Sequence, residues 1–320
     1  MSLFRIRNLR QTDLGALADL INRADRADRT GLVTSPEDLA HDLAEPGMGG
    51  RENVLLAEAG EQLIGYTLVR MVNADTSRLL AIGTVDPGWR RRGVGTALLR
   101  RAEHRAAELA GHRPFVLDLP VQHLVAGACE LARSLGYVVA REYLRMVHPD
   151  VDCAPEAALP AHIALHDYVR GRDEEKFVTA YTETFADHWG EEPHTLAAEQ
   201  HRTHGPSFRP QDNLLAINSE GAIVGFCLLH PYGPRSDERE PATIDDLGVR
   251  PAYRGQGLGR ALLLAGMRRL REQGAQAVAL FVDAASPYPS ARLYESVGFV
   301  AGGGVTLFRK TVGGPGGTDS

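Results

Sequence analysis

Hydrophobic and polar positions follow the same succession of periods twice along this chain. Residues 53–70 and 213–230 each contain two apolar runs joined by a turn with glycine, which is typical of a β-hairpin. Before each hairpin, residues 4–24 and 163–185 combine a short alternating strand, a polar turn and an amphipathic helix, and we expect a second helix between that helix and the hairpin. After each hairpin come a strand, a glycine-rich loop, a helix, a strand, a helix and a last strand. The pattern therefore predicts two copies of one α/β unit.

The repeat is also visible in the residues themselves. "GTVDPGWRRRGVGTALLRRA" (83–102) matches "LGVRPAYRGQGLGRALLLAG" (247–266), and "ACELARSLGYVVA" (128–140) matches "SARLYESVGFVAG" (290–302). We predict an N-terminal domain of residues 1–148, a Pro- and Ala-rich linker of residues 149–162, a C-terminal domain of residues 163–312 and a flexible tail of residues 313–320. Each domain then has roughly 150 residues, an ordinary domain size.

Composition narrows the class of protein. Of the 320 residues, 43% are hydrophobic and 24% are charged, as in an ordinary globular protein. The net charge of −6 is spread along the chain, so we expect no nucleic-acid partner. No secretory signal and no apolar run of membrane-spanning length is present, so we expect a cytoplasmic protein without a membrane partner, as a monomer or homodimer. The three cysteines are far apart, and the spacing of the histidines is not that of a zinc site, so no metal is expected.

The glycine loop "AYRGQGLGRALLL" (252–264) lies between a predicted strand and a predicted helix. A helix N-terminus favours an anion, and glycines allow backbone to approach a phosphate. The loop lacks the Lys-Ser/Thr end of a Walker P-loop. A dinucleotide site is a closer rival, but Arg260 stands where its third glycine belongs. Both copies share Arg-x-x-Gly-x-Gly instead.

That shared pattern resembles the pyrophosphate-binding signature of the GNAT superfamily of acyl-CoA-dependent N-acetyltransferases. The segment "ARLYESVGF" (291–299) is similar to another signature of that family. The resemblance implies an α/β (α+β) fold with a mixed, mostly antiparallel sheet flanked by helices in each half. It also implies acetyl-CoA as co-substrate.

The resemblance assigns the residues expected to bind acetyl-CoA. In the C-terminal half they are Leu247, Gly248, Val249, Arg254, Gly255, Gln256, Gly257, Leu258, Gly259, Arg260, Ser286 and Arg292, where Ser286 takes the place of an Asn in relatives. In the N-terminal half they are Val85, Arg90, Arg91, Arg92, Gly93, Val94, Gly95 and Thr96.

The catalytic candidates lie in the C-terminal half. The family's tyrosine, which protonates the leaving thiolate, corresponds to Tyr294, and Ala132 holds that position in the first copy. Asp245 and Asp246 are candidates for the general base. Strand alternation predicts that they lie on opposite faces, with Asp245 on the face of Leu247 and Val249. We therefore expect a non-catalytic N-terminal domain that either binds CoA or serves as a structural partner.

Residues 183–195 are acidic and aromatic, which suits a cationic amine, and Glu183, His188 and Trp189 are the substrate candidates. The predicted function is transfer of an acetyl group from acetyl-CoA to a primary amine of a small molecule, by direct attack in a ternary complex. A non-catalytic acyl-CoA sensor or scaffold and a dinucleotide-dependent enzyme remain as alternatives. The sequence leaves the acceptor, the identity of the base and the oligomeric state open.

Overall fold

The computed structural model divides the chain into two compact units. It describes residues 3–30, 33–45, 47–153, 155, 158–190, 194–230, 241–286, 288 and 290–313. Unit 1 comprises Met1–Tyr143 and Gly304–Ser320, and unit 2 comprises Leu144–Gly303. Most of the predicted tail, residues 314–320, and part of the predicted linker lie outside the described residues.

The elements of the first sequence repeat follow the predicted order. They are β1 (Arg5–Asn8), α1 (Leu14–Asp28), α2 (Pro36–Asp42), β2 (Val54–Ala59), β3 (Gln62–Asn73), β4 (Arg78–Val85), α3 (Val94–Leu109), β5 (Phe115–Gln122), α4 (Ala128–Ser134) and β6 (Val138–His148).

The second repeat has the same order. Its elements are β7 (Ile163–Asp167), α5 (Glu174–Phe185), α6 (Leu196–His204), β8 (Asn213–Asn218), β9 (Ile223–His230), β10 (Ala242–Val249), α7 (Leu258–Glu272), β11 (Val278–Asp283), α8 (Ser290–Glu295) and β12 (Val300–Val312).

Each unit contains a mixed sheet in which most pairs are antiparallel. The strand order is β1-β2-β3-β4-β5-β12 in unit 1 and β6-β11-β10-β9-β8-β7 in unit 2. Among the pairings between described residues, β4 with β5 and β10 with β11 are parallel. The predicted fold class is therefore confirmed.

The last strand of each unit comes from the other sequence repeat. Val305–Val312 of β12 pair antiparallel with β5 in unit 1, while unit 2 takes β6 residues from Leu144 onward. The compact units thus differ from the predicted domains of residues 1–148 and 163–312. They differ because the residues after Gly304 pair with the backbone of β5, which belongs to unit 1.

Helices cover both faces of each sheet, which is why the strands read as nearly continuous apolar runs. In unit 2, Cys227 and Leu229 of β9 pack in the core beneath α7. The alternate residues Phe226 and Leu228 pack against Phe177 of α5 on the opposite face. Unit 1 is built in the same way, with α1 on one face and α3 on the other. Among the described residues, no helix has the length and apolar character needed to cross a bilayer.

Candidate functional site

The glycine loop of unit 2 leaves open space at the start of α7. Gly255 and Gly257 have φ of +75° and +81°, and no heavy atom lies within 4 Å of where a Cβ would stand on either residue. Gly257 is the N-cap of α7, whose first N–H groups have no intrahelical partner. The loop is therefore an open concavity lined by backbone donors, as an anion site requires.

Unit 1 keeps the same loop conformation. Gly93 has φ +82° and is the N-cap of α3, while Arg91 takes φ +62° at the position of Gly255. A non-glycine residue in the left-handed region costs about 1–2 kcal/mol. The loop of unit 1 therefore holds its shape although its sequence has lost one glycine.

The last glycine of the Arg-x-x-Gly-x-Gly pattern faces the following helix in both units. A Cβ on Gly259 would lie 3.7 Å from both Leu293 and Val249. In unit 1 a Cβ on Gly95 would lie 2.9 Å from Leu131. Gly95 therefore lets the first turn of α3 approach α4 closely, whereas a Cβ on Gly259 would make only ordinary van der Waals contacts.

The arginine of the pattern braces the loop in both units. The Nε of Arg254 donates to the carbonyl of Val249 (3.1 Å), and its Nη2 donates to the carbonyl of Thr184 at the end of α5 (2.8 Å). Arg90 likewise donates to the carbonyl of Val85 (3.2 Å), and its two terminal nitrogens each lie 2.6 Å from an oxygen of Asp28. Each arginine therefore ties the end of a strand to the first helix of its repeat.

The remaining predicted cofactor residues lie around the two loops. Gln256, Arg260 and Arg292 are exposed in unit 2, and Arg92 is exposed and stacks over Trp89 in unit 1. The side chains of Leu258 and Val94 are buried, so these two residues can offer a ligand only their backbone. Ser286 accepts a hydrogen bond from the N–H of Tyr288. Thr96 lines a groove of about 550 Å³ along α3 with Arg100, Arg101 and His104.

Strands β10 and β11 separate next to the loop of unit 2. Their parallel pairing ends with Ile244 opposite Leu280, so residues 245–249 of β10 have no partner in β11. We call this gap the β10–β11 opening. Arg250 donates its N–H to Val224 of β9 (3.0 Å), and N–H directions alternate along a strand. The N–H groups of Leu247 and Val249 therefore point into the opening, while that of Gly248 points towards β9.

Gly248 is required by packing. A Cβ at this residue would lie 2.4 Å from the ring of Phe226 and 2.8 Å from Thr184. The sequence correctly singled out this strand, but the structure gives Gly248 a contact with α5 instead of a donor aimed into the opening.

A β-bulge in β10 gives Asp245 an orientation that differs from the predicted one. Ile244 pairs with Leu229 and Asp246 pairs with Leu228, so Asp245 is an extra residue without a partner in β9. Its carboxylate lies 3.8 Å from the Nδ1 of His230, on the face opposite the core cluster of Leu247 and Val249. The prediction that Asp245 shares a face with Leu247 was wrong because the bulge shifts the alternation. Bulges often re-aim side chains next to active sites.

The two carboxylates and Tyr294 influence one another. Burial, and then the charge of Asp245, raise the pKa of Asp246 to about 6, against the opposing charges of Arg202 and His194. Desolvation by the surrounding protein also raises the pKa of Asp245, although half of its side chain remains exposed to solvent. Burial, followed by the charges of Cys227 and Asp246, raises the pKa of Tyr294 to about 12. Asp245 and Asp246 thus lie beside the β10–β11 opening, and Tyr294, which is buried in the core cluster beneath α7, is close enough for the charge of Asp246 to act on it.

A buried polar network lies behind the aspartates, and the sequence did not reveal it. Glu199 is fully buried and accepts hydrogen bonds from Tyr168 (2.7 Å) and Arg202 (2.8 and 2.9 Å), with His194 Nε2 at 3.0 Å. Burial opposes its ionisation, but the bonds from Arg202 and His194 hold the pKa of Glu199 below its usual value. Because Glu199 comes from α6 and Asp246 from β10, no local motif could join them.

The substrate candidates separate in the structure. The carboxylate of Glu183 accepts two hydrogen bonds from Arg250 (2.8 and 2.9 Å), the residue that follows β10. This ion pair holds the Glu183 side chain at the end of β10. The exposed His188 ring packs edge-on against Phe185, with centroids 4.7 Å apart. Trp189 is half-buried. Nearby, Tyr288 donates to Asp187 (2.9 Å) and stacks on Arg254.

Comparison with known proteins identifies this arrangement. The Acetyltransferase (GNAT) family matches residues 19–137 and 175–299, which together make up most of the chain. The chain belongs to the GNAT acetyltransferase family. The resemblance inferred from the sequence is confirmed, and the two matched segments correspond to the two repeats.

Proteins named mycothiol acetyltransferase are among the relatives of this chain. The protein of that name from Parafrankia sp. (strain EAN1pec) is 32% identical, over 93% of this chain and 95% of the relative. That from Thermobispora bispora is 33% identical, over 90% of this chain and 92% of the relative.

Solved GNAT structures share the fold over nearly the whole chain. The GCN5-related N-acetyltransferase from Sphaerobacter thermophilus has a TM-score of 0.70 and 26% identity, covering 97% of this chain and 96% of that chain. A tandem GNAT protein from the clavulanic acid biosynthesis pathway has a TM-score of 0.71 and 17% identity, covering 97% and 99%. The chain is therefore a tandem GNAT protein and an acetyltransferase.

GNAT acetyltransferases use acetyl-CoA as co-substrate. The glycine loop of unit 2 fits that molecule, because the space at Gly255 and Gly257 is open and the N–H groups of Leu247 and Val249 are directed into the adjacent opening. Within the described ranges, the structure contains no group of three or more His, Cys, Asp or Glu side chains placed to hold a metal ion.

Proposed function

We propose that this chain transfers the acetyl group of acetyl-CoA to a primary amine of a small molecule, by direct attack within a ternary complex in unit 2. The observation that carries the proposal is the pair Asp245 and Asp246 at the β10–β11 opening, next to the glycine loop, with Tyr294 close enough for the charge of Asp246 to act on it. Burial raises the pKa values of Asp246 and Tyr294, and shifted pKa values are common at catalytic sites.

Unit 1 lacks all three groups. Ile82 lies opposite Leu68 of β3, as Asp246 lies opposite Leu228. The β3–β4 ladder is regular there, so Asp245 has no counterpart, and Ala132 takes the place of Tyr294. This difference supports chemistry in unit 2 alone.

The proposed acid and base have matching properties. Asp246, with a pKa of about 6, is mostly ionised at neutral pH and can accept the proton that an ammonium group must lose. The bulged Asp245 adds a second negative charge that attracts the cationic acceptor. Tyr294 keeps its phenol proton at neutral pH, as an ordinary tyrosine does, and donates it to the leaving thiolate, although its raised pKa of about 12 makes it a weaker acid than a free tyrosine. The N–H groups of Leu247 and Val249 polarise the thioester carbonyl.

In this proposal the loop of unit 2 holds the pyrophosphate of acetyl-CoA through the backbone of residues 255–259. Arg260, Gln256 and Arg292 are the exposed polar side chains available around it, and Ser286 lies before α8. Arg254 acts by keeping the loop in place through its bonds to Val249 and Thr184.

Unit 1 is proposed to be non-catalytic. In its loop, Arg91 keeps a left-handed backbone conformation. The loop residue Gly93 also lines a groove together with Arg100, Arg101 and His104. These features support the binding of a CoA pyrophosphate without turnover as a second function.

The names of the relatives support one choice of acceptor. Because proteins named mycothiol acetyltransferase align over nearly the whole chain, we propose deacetylated mycothiol as the amine.

The test is steady-state kinetics with acetyl-CoA and deacetylated mycothiol. We expect one CoA thiol released per amide formed, and intersecting lines when both substrates are varied. Tyr294→Phe should lower kcat by about 100-fold, within the range for loss of a general acid, with the KM for acetyl-CoA unchanged. Tyr253→Phe is a matched control on the loop and should have little effect on kcat.

The alternatives predict different results. An acyl-CoA sensor would bind acetyl-CoA but release no thiol with any amine. A dinucleotide-dependent enzyme would be protected from heat by NAD(H) and not by CoA. Thiol release at the wild-type rate by Tyr294→Phe would remove the acid assignment.

A further inference from the structure

Phe281 lies where β10 and β11 separate. The parallel ladder ends with Ile244 opposite Leu280, so Asp245 and Phe281 are the first residues beyond it on the two strands. The side chain of Phe281 is 43% exposed, and that of Asp245 is 50% exposed. A single exposed apolar side chain needs no explanation in general, but this one stands beside the proposed acid–base groups.

The ring of Phe281 and the two carboxylates lie on one face of the sheet. Leu280 and Val282 are buried in the core beneath α7, so strand alternation directs Phe281 to the face that carries α5 and α6. The bulge directs Asp245 to that same face, beside His230. Neighbouring strands are about 4.8 Å apart. The ring and the carboxylates therefore lie within the span of one small molecule.

We propose that Phe281 is a specificity-determining residue of the acceptor site. Its ring forms an apolar wall against which the body of the acceptor packs, while Asp245 and Asp246 attract the ammonium group. The class of acceptor that fits is a primary amine attached to a compact, C–H-rich ring, because a flexible amine without a ring would gain little from the wall. This assignment rests on the proposed function of unit 2.

The experiment compares two amines on the full-length chain. Deacetylated mycothiol is the ring-bearing probe, and ethanolamine is the probe without a ring. For Phe281→Ala we expect the KM for deacetylated mycothiol to rise about 5-fold, the size of one lost aromatic contact. The kcat and the KM for acetyl-CoA should stay within about 2-fold, since neither the loop nor Tyr294 changes, and kcat/KM for ethanolamine should not fall.

Two further variants guard the interpretation. Phe281→Leu keeps an apolar strand residue but removes the ring. It should raise the KM for deacetylated mycothiol as well, but by a smaller factor than Phe281→Ala. Val169→Ala removes a similarly exposed apolar side chain (42%) between β7 and α5, and should leave both KM values unchanged.

The outcomes separate this assignment from the proposed function. An unchanged KM for deacetylated mycothiol in both Phe281 variants, or an equal loss with both amines, overturns the role of Phe281 while transfer itself stands. A wild-type chain that acetylates neither amine overturns the proposed function, and this assignment with it.

Discussion

Asp246 is held between opposing influences. Burial and the negative charge of Asp245 raise its pKa, while the positive charges of Arg202 and His194 lower it. The value of about 6 that results lies near neutral pH, where a carboxylate is ionised and still basic enough to take up a proton. The sequence identified both aspartates, but it could not reveal Arg202 and His194, which come from another part of the fold.

The first prediction concerns the pH dependence of the rate. If Asp246 is the base, kcat/KM for the amine should fall as the pH is lowered through about 6, where the carboxylate is protonated. Asp246→Asn should lower kcat by about 100-fold and abolish this fall. Glu220→Gln, in the turn between β8 and β9, is the control and should keep the wild-type profile. A wild-type profile in Asp246→Asn would assign the base elsewhere.

The second prediction concerns stability. A carboxyl whose pKa is raised in the folded chain stabilises the fold below its unfolded pKa, and this contribution is lost as the pH rises through about 6. Asp246→Asn removes the unfavourable buried charge. The unfolding free energy of the variant, relative to that of the wild type, should therefore be about 1–2 kcal/mol higher at pH 8 than at pH 4. Urea denaturation at both pH values measures the difference, and an equal gain at both would contradict the burial argument.

At the scale of single elements, hairpins, loops and helices could be predicted, whereas the bulge could not. The segment "TIDDLGV" is compatible with a regular strand, because a bulge depends on how the partner strand pairs. The same limit applies to Arg254. Its position beside glycines indicates a phosphate contact, but its carbonyl partners lie in β10 and at the end of α5.

The third prediction concerns the segment of β12 that completes unit 1. Asp118 of β5 is fully buried and accepts bonds from Arg309 (2.6 and 2.8 Å) and Arg78 (2.7 Å). Asp118→Ala would leave two guanidinium groups partly buried without this carboxylate, and should cost about 3–5 kcal/mol of unfolding free energy. Chemical denaturation measures it. Asp75→Ala, in an exposed turn of the same unit, should cost far less, and equal losses would exclude a special role for the cluster.

At the scale of the whole molecule, the repeats predicted two units but not which segments complete them. The last strands of the two repeats, β6 and β12, have the same apolar character, so either could extend either sheet by pattern alone. Long-range strand pairing decides which unit each strand joins. Val305–Val312 pair with β5 in unit 1, and unit 2 includes β6 from Leu144 onward. Local periodicity contains no information on that choice.

The last prediction uses the repeat as its own control. Gly257 and Gly93 cap α7 and α3 with φ of +81° and +82°, and a Cβ on either would meet no heavy atom within 4 Å. Substitution by Ala should therefore cost both units the same backbone strain, about 1–2 kcal/mol. Only Gly257→Ala would place a methyl group in the loop proposed to hold acetyl-CoA for catalysis.

We expect Gly257→Ala to lower kcat/KM for acetyl-CoA by at least about 10-fold, equivalent to about 1.4 kcal/mol, and Gly93→Ala to leave turnover unchanged. Thermal unfolding of both variants checks that the strain is equal. A loss of turnover in Gly93→Ala alone would move the chemistry to unit 1. If both variants lost the same amount of turnover, turnover would depend on both loops, because the backbone strain is expected to be equal in the two units.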